Sequence, residues 1–495
     1  MTLTVFNSLT RRQEPFTPLE ANKIRMYCCG ITVYDYCHLG HGRTCLIWDV
    51  VRRYLEWRGY EVRYVQNFTD IDDKILKRAQ NEGVTMEEIS ERFIAAYFED
   101  MERLGIKKAD AYPRATHALD GIQRLVSQLE RKGYAYPANG DVYYSVRQFP
   151  EYGKLSGRKL EDLKAGASGR LEESDPDAEK KRDPFDFALW KAAKPNEPSY
   201  ASPWGNGRPG WHIECSAMVK QELGETIDIH VGGGDLMFPH HENEIAQSEA
   251  ATGKPLARYW LHNGMVKVDG EKMSKSLGNF ITLRDLLNTV DPMVVRLFIL
   301  QAHYRKPLDF TEEGLEGARN GWNTLREGLR FKENYGKQLG WTPLSSPTSW
   351  GEVREEWGVD ETITQRFAEI VDDDFNFAGG LAILFELAKE LRKEGNLLVH
   401  QGKTEASAEE LAVKWQTLTE LAEVFGLTVE IEETASSQSP TLSDEEVQAL
   451  IEKRAVARQE KNFSEADRIR DELTEKGVVL IDQPGGETRW YWDTH

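Results

Sequence analysis

Ile24, Met26 and Cys28 fall on one side of an alternating run, and Arg25, Tyr27 and Cys29 on the other. A period of two predicts a strand over 24–29. Residues 43–57 repeat at helical spacing instead, with Ile47, Val50, Tyr54 and Trp57 on one face and Gly59 placed to stop the helix. Residues 61–68 alternate again. Strand, helix and strand in this order predict a parallel sheet with a right-handed crossover. Further helices are expected over 86–104 and 117–132. Between 133 and 209 the texture changes: short strands such as 141–146 mix with the charged stretch 172–183, which marks an insertion. Residues 226–231 predict another strand, with Ile227, Ile229 and Val231 on one face, running into Gly232-Gly233-Gly234-Asp235. A helix over 239–252 follows, with Pro239 at its first position and Gly253 at its stop. Residues 265–268 form a short strand turning at Asp269-Gly270.

From Asp291 onward helical patterns dominate, over 312–332, 361–371, 380–394 and 408–425, with Thr311 as the cap of the first. Residues 434–442 are Ser/Thr-rich and read as a linker. Two helices over 444–476 and a hairpin from 478–481 and 488–492 complete the chain. The expected fold class is α/β. A Rossmann-type catalytic domain occupies 1–132 and 210–264, interrupted by a connective insertion over 133–209. A lysine-loop region over 265–311, a helical bundle over 312–433 and a small mixed α/β domain over 444–495 follow.

Composition changes this picture little. The formal net charge of -20 argues against generic nucleic-acid binding, although local basic faces still allow a shape-selective partner. Of the five cysteines, Cys28, Cys29, Cys37 and Cys45 crowd the first tenth of the chain and only Cys215 lies apart. A disulfide scaffold would spread them, so a reducing compartment is expected. No apolar run spans a bilayer and the first residues lack a signal core, which leads us to expect a cytoplasmic protein with no membrane association.

His38-Leu-Gly-His41 opens the first helix. Helix-start amides favour an anion, and two imidazoles can donate to charge developing on a phosphoryl group. Alone, the run serves as readily as a helix start with two surface histidines. Lys272-Met-Ser-Lys275-Ser places two point charges in a glycine-flanked loop, suited to a polyphosphate or simply to solvent. Together, in this order, the two runs resemble the paired signature motifs of class I aminoacyl-tRNA synthetases, with Leu39 where isoleucine is common. The resemblance implies that His38, His41, Lys272 and Lys275 act in catalysis. It also implies that His38, Gly40, His41, Gly233, Asp235 and Lys275 bind ATP, with Mg2+ expected.

His240 and Glu244 lie four apart on one face of an expected helix, and imidazole and carboxylate both suit zinc. Cys215 can add a thiolate, and Cys29 ends a strand where ligands gather in open parallel sheets. The same spacings also fit a solvated pair and packed thiols. Three segments settle between these options by resemblance: 27–35, 210–218 and 234–244 resemble the zinc-bearing segments of the cysteinyl-tRNA synthetases. The likeness covers about residues 5–310 and continues more weakly to the end of the chain. It implies a single Zn2+ per subunit held by Cys29, Cys215, His240 and Glu244, with Cys28 standing where the family is usually aliphatic. It implies Thr69 and Trp211 in the substrate site. It further implies L-cysteine, ATP and tRNA(Cys) as partners of a monomer.

A packed pocket separates cysteine from serine poorly, whereas a borderline-soft ion prefers a thiolate. Four protein ligands normally close a zinc site, so the substrate enters as a fifth ligand or displaces a labile one, for which Glu244 is the candidate. In the C-terminal domain Arg454, Arg458 and Lys461 can share a basic face, and Arg489 and Trp490 can stack on unpaired bases. Glu452, Glu460 and Glu465 nearby fit a solvated face equally well. Two rivals remain at this point. One is the cysteine ligase of mycothiol synthesis, which shares fold, zinc and adenylation but needs no anticodon reader. The other is a non-catalytic tRNA-binding paralogue.

Overall fold

The computed structural model describes residues 2–162, 178–194, 197–273, 278–341, 357–429, 444–476, 478–482 and 488–492. The expected linker at 434–442 and Lys275 lie outside the described residues. Four parallel strands form the central sheet: β1 (Lys23–Thr32), β2 (Glu61–Thr69), β3 (Ile227–Gly233) and β4 (Ala257–Asn263), in the order β4-β3-β1-β2. Every residue of β3 is buried, as a parallel strand covered on both faces requires. Helix α1 (Leu39–Trp57) makes the crossover from β1 to β2 and starts four residues before the apolar period, because His38 caps it. Helices α2 (Trp211–Leu223) and α3 (Glu242–Thr252) bracket β3 in sequence.

The alternation in β1 decides which thiol reaches which side. Tyr27 and Cys29 join Val65, Ile213, Met218, Ile245 and Trp260 in one core. Cys28 faces the other way, beside Cys45 of α1 and Tyr64 of β2. Residues 133–209 supply an antiparallel sheet of Ala135–Ala138, Asp141–Tyr144, Phe187–Ala192 and Gly207–Pro209.

Two elements differ from expectation. The helix expected over 239–252 begins only at Glu242, and Met237–His241 form a wider π-type turn. Phe238 keeps an extended backbone (φ -141, ψ 130), because a residue before proline is pushed out of the helical region. The Phe238–Pro239 bond is cis, and Pro239 lies within the π-type turn rather than at the first position of the α-helix. A helix over Asp73–Glu82 was not anticipated, since it is mostly polar and only Ile75 and Ala79 on it are buried. The turn at Asp269-Gly270 does form, with both residues left-handed (φ 50 and 80), joining Val266–Val268 to Glu271–Lys272. Thr311 accepts from the Gly314 amide at 3.1 Å and so caps Glu312–Leu329.

The chain divides into two compact units. The first comprises Met1–Asn323, Glu361–Phe385 and Glu420–Leu427, and the second Thr324–Asp360, Glu386–Thr419 and Thr428–His495. Within the second, helices Asp444–Gln459 and Phe463–Glu475 and the hairpin Val478–Asp482/Thr488–Trp492 enclose a core of Val447, Ile451, Ile469, Leu473 and Val478.

Candidate active site and metal centre

At the end of β1 the pairing with β2 shifts between Cys28 and Ile31. Only glycine fits at position 30, where a Cβ would stand 1.7 Å from the Asn67 carbonyl oxygen. This irregularity delivers Cys29 to the carboxyl edge of the sheet. Cys215 lies one turn into α2, whose N-cap Gly210 is held so close to Ala188 that a Cβ would meet its carbonyl oxygen at 1.9 Å. His240 and Glu244 come from the π-turn and the first turn of α3, so the altered helix start keeps them together.

Cys29, Cys215, His240 and Glu244 are all buried, with one ligand atom from each within 4.8 Å of the others. Cys29 Sγ is 3.1 Å from Glu244 Oε1, and His240 Nε2 is 3.0 Å from the same oxygen. Zinc bonds of about 2.0–2.3 Å in a tetrahedron put ligand atoms about 3.3–3.8 Å apart, so two thiols, an imidazole and a carboxylate at these separations fit the ion. Cys28, on the opposite face of β1, is not part of this group.

The electrostatics fit a cation as well. A hydrogen bond from Cys29, aided by His240, pulls the Cys215 thiol down to about 6 against the cost of burial. Burial, with the Cys215 charge beside it, pushes Cys29 well above the usual thiol range. The two neighbouring sulfurs are thus pushed in opposite directions. Burial works against a charged His240, yet the Glu244 charge and the Cys215 contact raise it to about 9. Glu244 is held well below the carboxylate range, because His230 and His240 outweigh its burial.

His38 and His41 cap α1 reciprocally: the His41 amide donates to His38 Nδ1 at 3.2 Å, and the His38 amide to His41 Nδ1 at 3.4 Å. Their rings stack with centroids 3.6 Å apart. A ring whose Nδ1 accepts from an amide carries its proton on Nε2, so both histidines present Nε2 as a donor. Burial, reinforced by His38 and Lys74, keeps His41 well below its ordinary range and therefore neutral. Gly40 is needed because a Cβ would meet the His38 ring at 2.9 Å.

A cleft of about 480 Å3 gathers these groups. Cys29, Thr69, Trp211, Cys215 and His240 line it. So do His38, Gly40, His41, Gly233, Asp235 and Lys272. The Trp211 ring lies 4.2 Å from that of His240, which makes it a wall of the cleft rather than interior packing. Two residues of the site were not anticipated. His230 Nε2 lies 3.0 Å from Glu244 Oε2 and fixes that carboxylate's second oxygen. Its signal was a lone histidine opposite the Ile227/Ile229/Val231 face of a buried strand. Asn67 lines the cleft from β2.

In the C-terminal domain the single basic face does not form. Arg454 is 5% exposed and donates to Thr488 Oγ1 of the hairpin at 3.3 Å. Arg458 is exposed, and Lys461 lies past the helix end in a left-handed turn (φ 60). Trp490 packs partly buried against the domain core, so its ring is not simply presented to an RNA base. The side chain of Arg489 lies outside the described residues.

Residues 15–320 match the family described as tRNA synthetases class I (C) catalytic domain. Residues 366–430 match the DALR domain, and 441–492 the cysteinyl-tRNA ligase anticodon binding domain. The chain is 71% identical to a cysteine–tRNA ligase of Rippkaea orientalis, over 99% of this chain and 100% of that one. It is 64% identical to a cysteine–tRNA ligase of Synechocystis, over 99% and 100%. Among solved structures, the methionyl-tRNA synthetase of Mycobacterium tuberculosis with methionyl-adenylate shares the fold, at TM-score 0.55 and 16% identity over 81% of this chain and 89% of that one. The leucyl-tRNA synthetase of Agrobacterium radiobacter in a ternary complex does so at TM-score 0.56 and 12% identity, over 83% and 85%.

Proposed function

This chain belongs to the cysteine–tRNA ligase family of class I aminoacyl-tRNA synthetases, and from that premise we propose that Cys29, Cys215, His240 and Glu244 hold one zinc ion that receives the sulfur of L-cysteine. The reaction is ATP-dependent activation of cysteine to cysteinyl-adenylate, then transfer to the 3′-terminal adenosine of tRNA. The match to an anticodon binding domain removes the amino-sugar ligase as a rival. What supports the metal reading is one observation: a buried donor set of two sulfurs, a nitrogen and an oxygen adjoins the cleft that holds the histidine-capped helix start.

When bound, zinc would supply a borderline-soft Lewis acid that prefers a thiolate to a protonated hydroxyl, and so cysteine to serine. The chain's own residues do the rest. His230 steadies Glu244, which would be the most labile of the four ligands. Trp211 closes the small pocket against His240, and Thr69 meets the polar end of the amino acid. His38 and His41 donate from Nε2 to the phosphates of ATP, accompanied by Mg2+, at a helix start that already favours negative charge. Gly40 keeps the approach open, Gly233 and Asp235 meet the ribose, and Lys272 and Lys275 neutralise the polyphosphate. Positioning and charge stabilisation thus carry the rate. Arg458 and Lys461 contact the tRNA backbone. The enzyme acts as a monomer in the cytoplasm; its five cysteines are all free, as a reducing compartment keeps them. No helix among the described residues is long and apolar enough to cross a membrane.

The test is metal analysis of the purified chain together with charging of tRNA by cysteine. About one zinc per chain, with activity lost to a chelator and restored by zinc, is expected. Active material free of metal would refute the assignment.

A further inference from the structure

Asn67 sits in β2, is 1% exposed, and lines the cleft. The orientation of its amide is fixed by chemistry. The Gly30 backbone N–H donates to Oδ1 at 2.9 Å, and an N–H can face only the carbonyl end of the group. Cys215 Sγ lies 3.7 Å from the same oxygen. The other end, Nδ2, is buried and has no hydrogen-bond partner among the described residues. A buried donor left unpaired costs free energy, and at the wall of a substrate cleft it marks where an acceptor belongs.

We propose that Asn67 contacts the substrate, its Nδ2 donating to the sulfur of the incoming cysteine while its Oδ1 holds the Gly30 irregularity that aims Cys29. The sulfur is the acceptor the surroundings select. Alternation along β2 puts Asn67 on the same face as Val65, which shares the core of Cys29 and Cys215, so the amide borders the thiol cluster. An ionised sulfur beside two protein sulfurs needs donors to offset their mutual repulsion, and the amide supplies one from a rigid strand. Serine, bound as a neutral hydroxyl, gains less from that donor, so Asn67 adds to selection of the amino acid. The inference rests on the metal reading above.

The full-length, zinc-loaded chain is compared with its Asn67→Ala and Asn67→Asp variants. Cysteine and cysteamine, which carries the same thiol but no carboxylate, are titrated by calorimetry, and metal content is measured alongside. Loss of a hydrogen bond to a charged acceptor predicts that Asn67→Ala weakens both thiols by the same factor, about tenfold, and that Asn67→Asp, which also brings a negative charge beside the sulfur, weakens both by at least as much, with zinc retained. Weakening of cysteine alone would assign the donor to the carboxylate and overturn the proposal, as would unchanged binding of both. The aspartate variant keeps an acceptor for Gly30, so it remains informative if alanine releases the metal. Zinc loss in both variants would also overturn the proposal, by making Asn67 a builder of the metal site only. If the unaltered chain itself takes up neither zinc nor thiol, it is the metal reading that fails.

Discussion

Two residues show how burial turns ordinary groups into specialised ones. Cys215 has a thiol drawn down to about 6, by Cys29 first and His240 after it, while the Cys29 thiol is pushed up by burial. Replacing Cys215 by serine removes the more easily ionised sulfur. Cys215→Ser should cut cysteine-dependent ATP–pyrophosphate exchange by about 100-fold or more, lower zinc content, and narrow the margin against serine. Unchanged exchange with both amino acids would reject Cys215 as a ligand. His262 is the opposite case. It is buried between His241, 2.8 Å from its Nε2, and Ser8, 2.8 Å from its Nδ1. Burial, and then the charge of His230, lowers it to about 3. The unfolded chain takes up this proton near pH 6.5 and the folded chain does not until about pH 3. Stability is therefore whole above pH 6.5 and falls by about 1.4 kcal/mol per pH unit below it. His262→Asn should flatten unfolding free energy against pH in this window by about one proton, as read from denaturant titrations.

At the scale of elements, α3 has two duties. Its first turn gives Glu244 to the donor set with Cys29, Cys215 and His240, while Glu242 turns to the insertion. There the Glu242 carboxylate accepts from the backbone amides of Gly153 (2.9 Å), Leu155 (3.4 Å) and Ser156 (2.8 Å). Lys154 pairs with Glu249 two turns further along, and Tyr152 donates to Asn243. The loop of the insertion is thus docked by charge-assisted bonds in addition to the burial of Phe149 and Leu155 in the core. Glu242→Ala should destabilise the fold by about 3 kcal/mol or more, since it strands three buried donors, and Glu242→Gln should recover part of the loss. Equal unfolding midpoints for the three proteins would show that the loop docks by other means. A single helix thereby links substrate choice to the seating of the insertion. Periodicity foretold the helix and the shared face of His240 and Glu244. It did not foretell the π-type turn, because proline's effect on Phe238 is a local steric matter that apolar spacing does not register.

At the scale of the whole molecule, residues 444–492 enclose a core of their own, around Val447, Ile451 and Leu473. Truncation after residue 433 should leave cysteine-dependent pyrophosphate exchange intact and lower kcat/KM for tRNA charging by about 100-fold, the loss expected when one of two linked binding modules is removed. Charging at full efficiency would mean that this domain does not read the tRNA. The net charge of -20 makes its local basic side chains matter, yet those were the least legible residues. A helix's residues at i, i+4 and i+7 share a side, but whether that side meets water or a neighbouring hairpin is decided by packing, and Arg454 went inward. The sequence by itself determined the parallel strands and the histidine-opened helix, because alternation and helical period are properties of the chain alone, while the four candidate ligands came from the resemblance of their segments to a known family. Tertiary structure decided that His230 braces Glu244 and that Asn67 keeps a donor at the cleft wall. Those outcomes depend on which strands become neighbours and which polar atoms find partners, and both are settled only when distant segments pack.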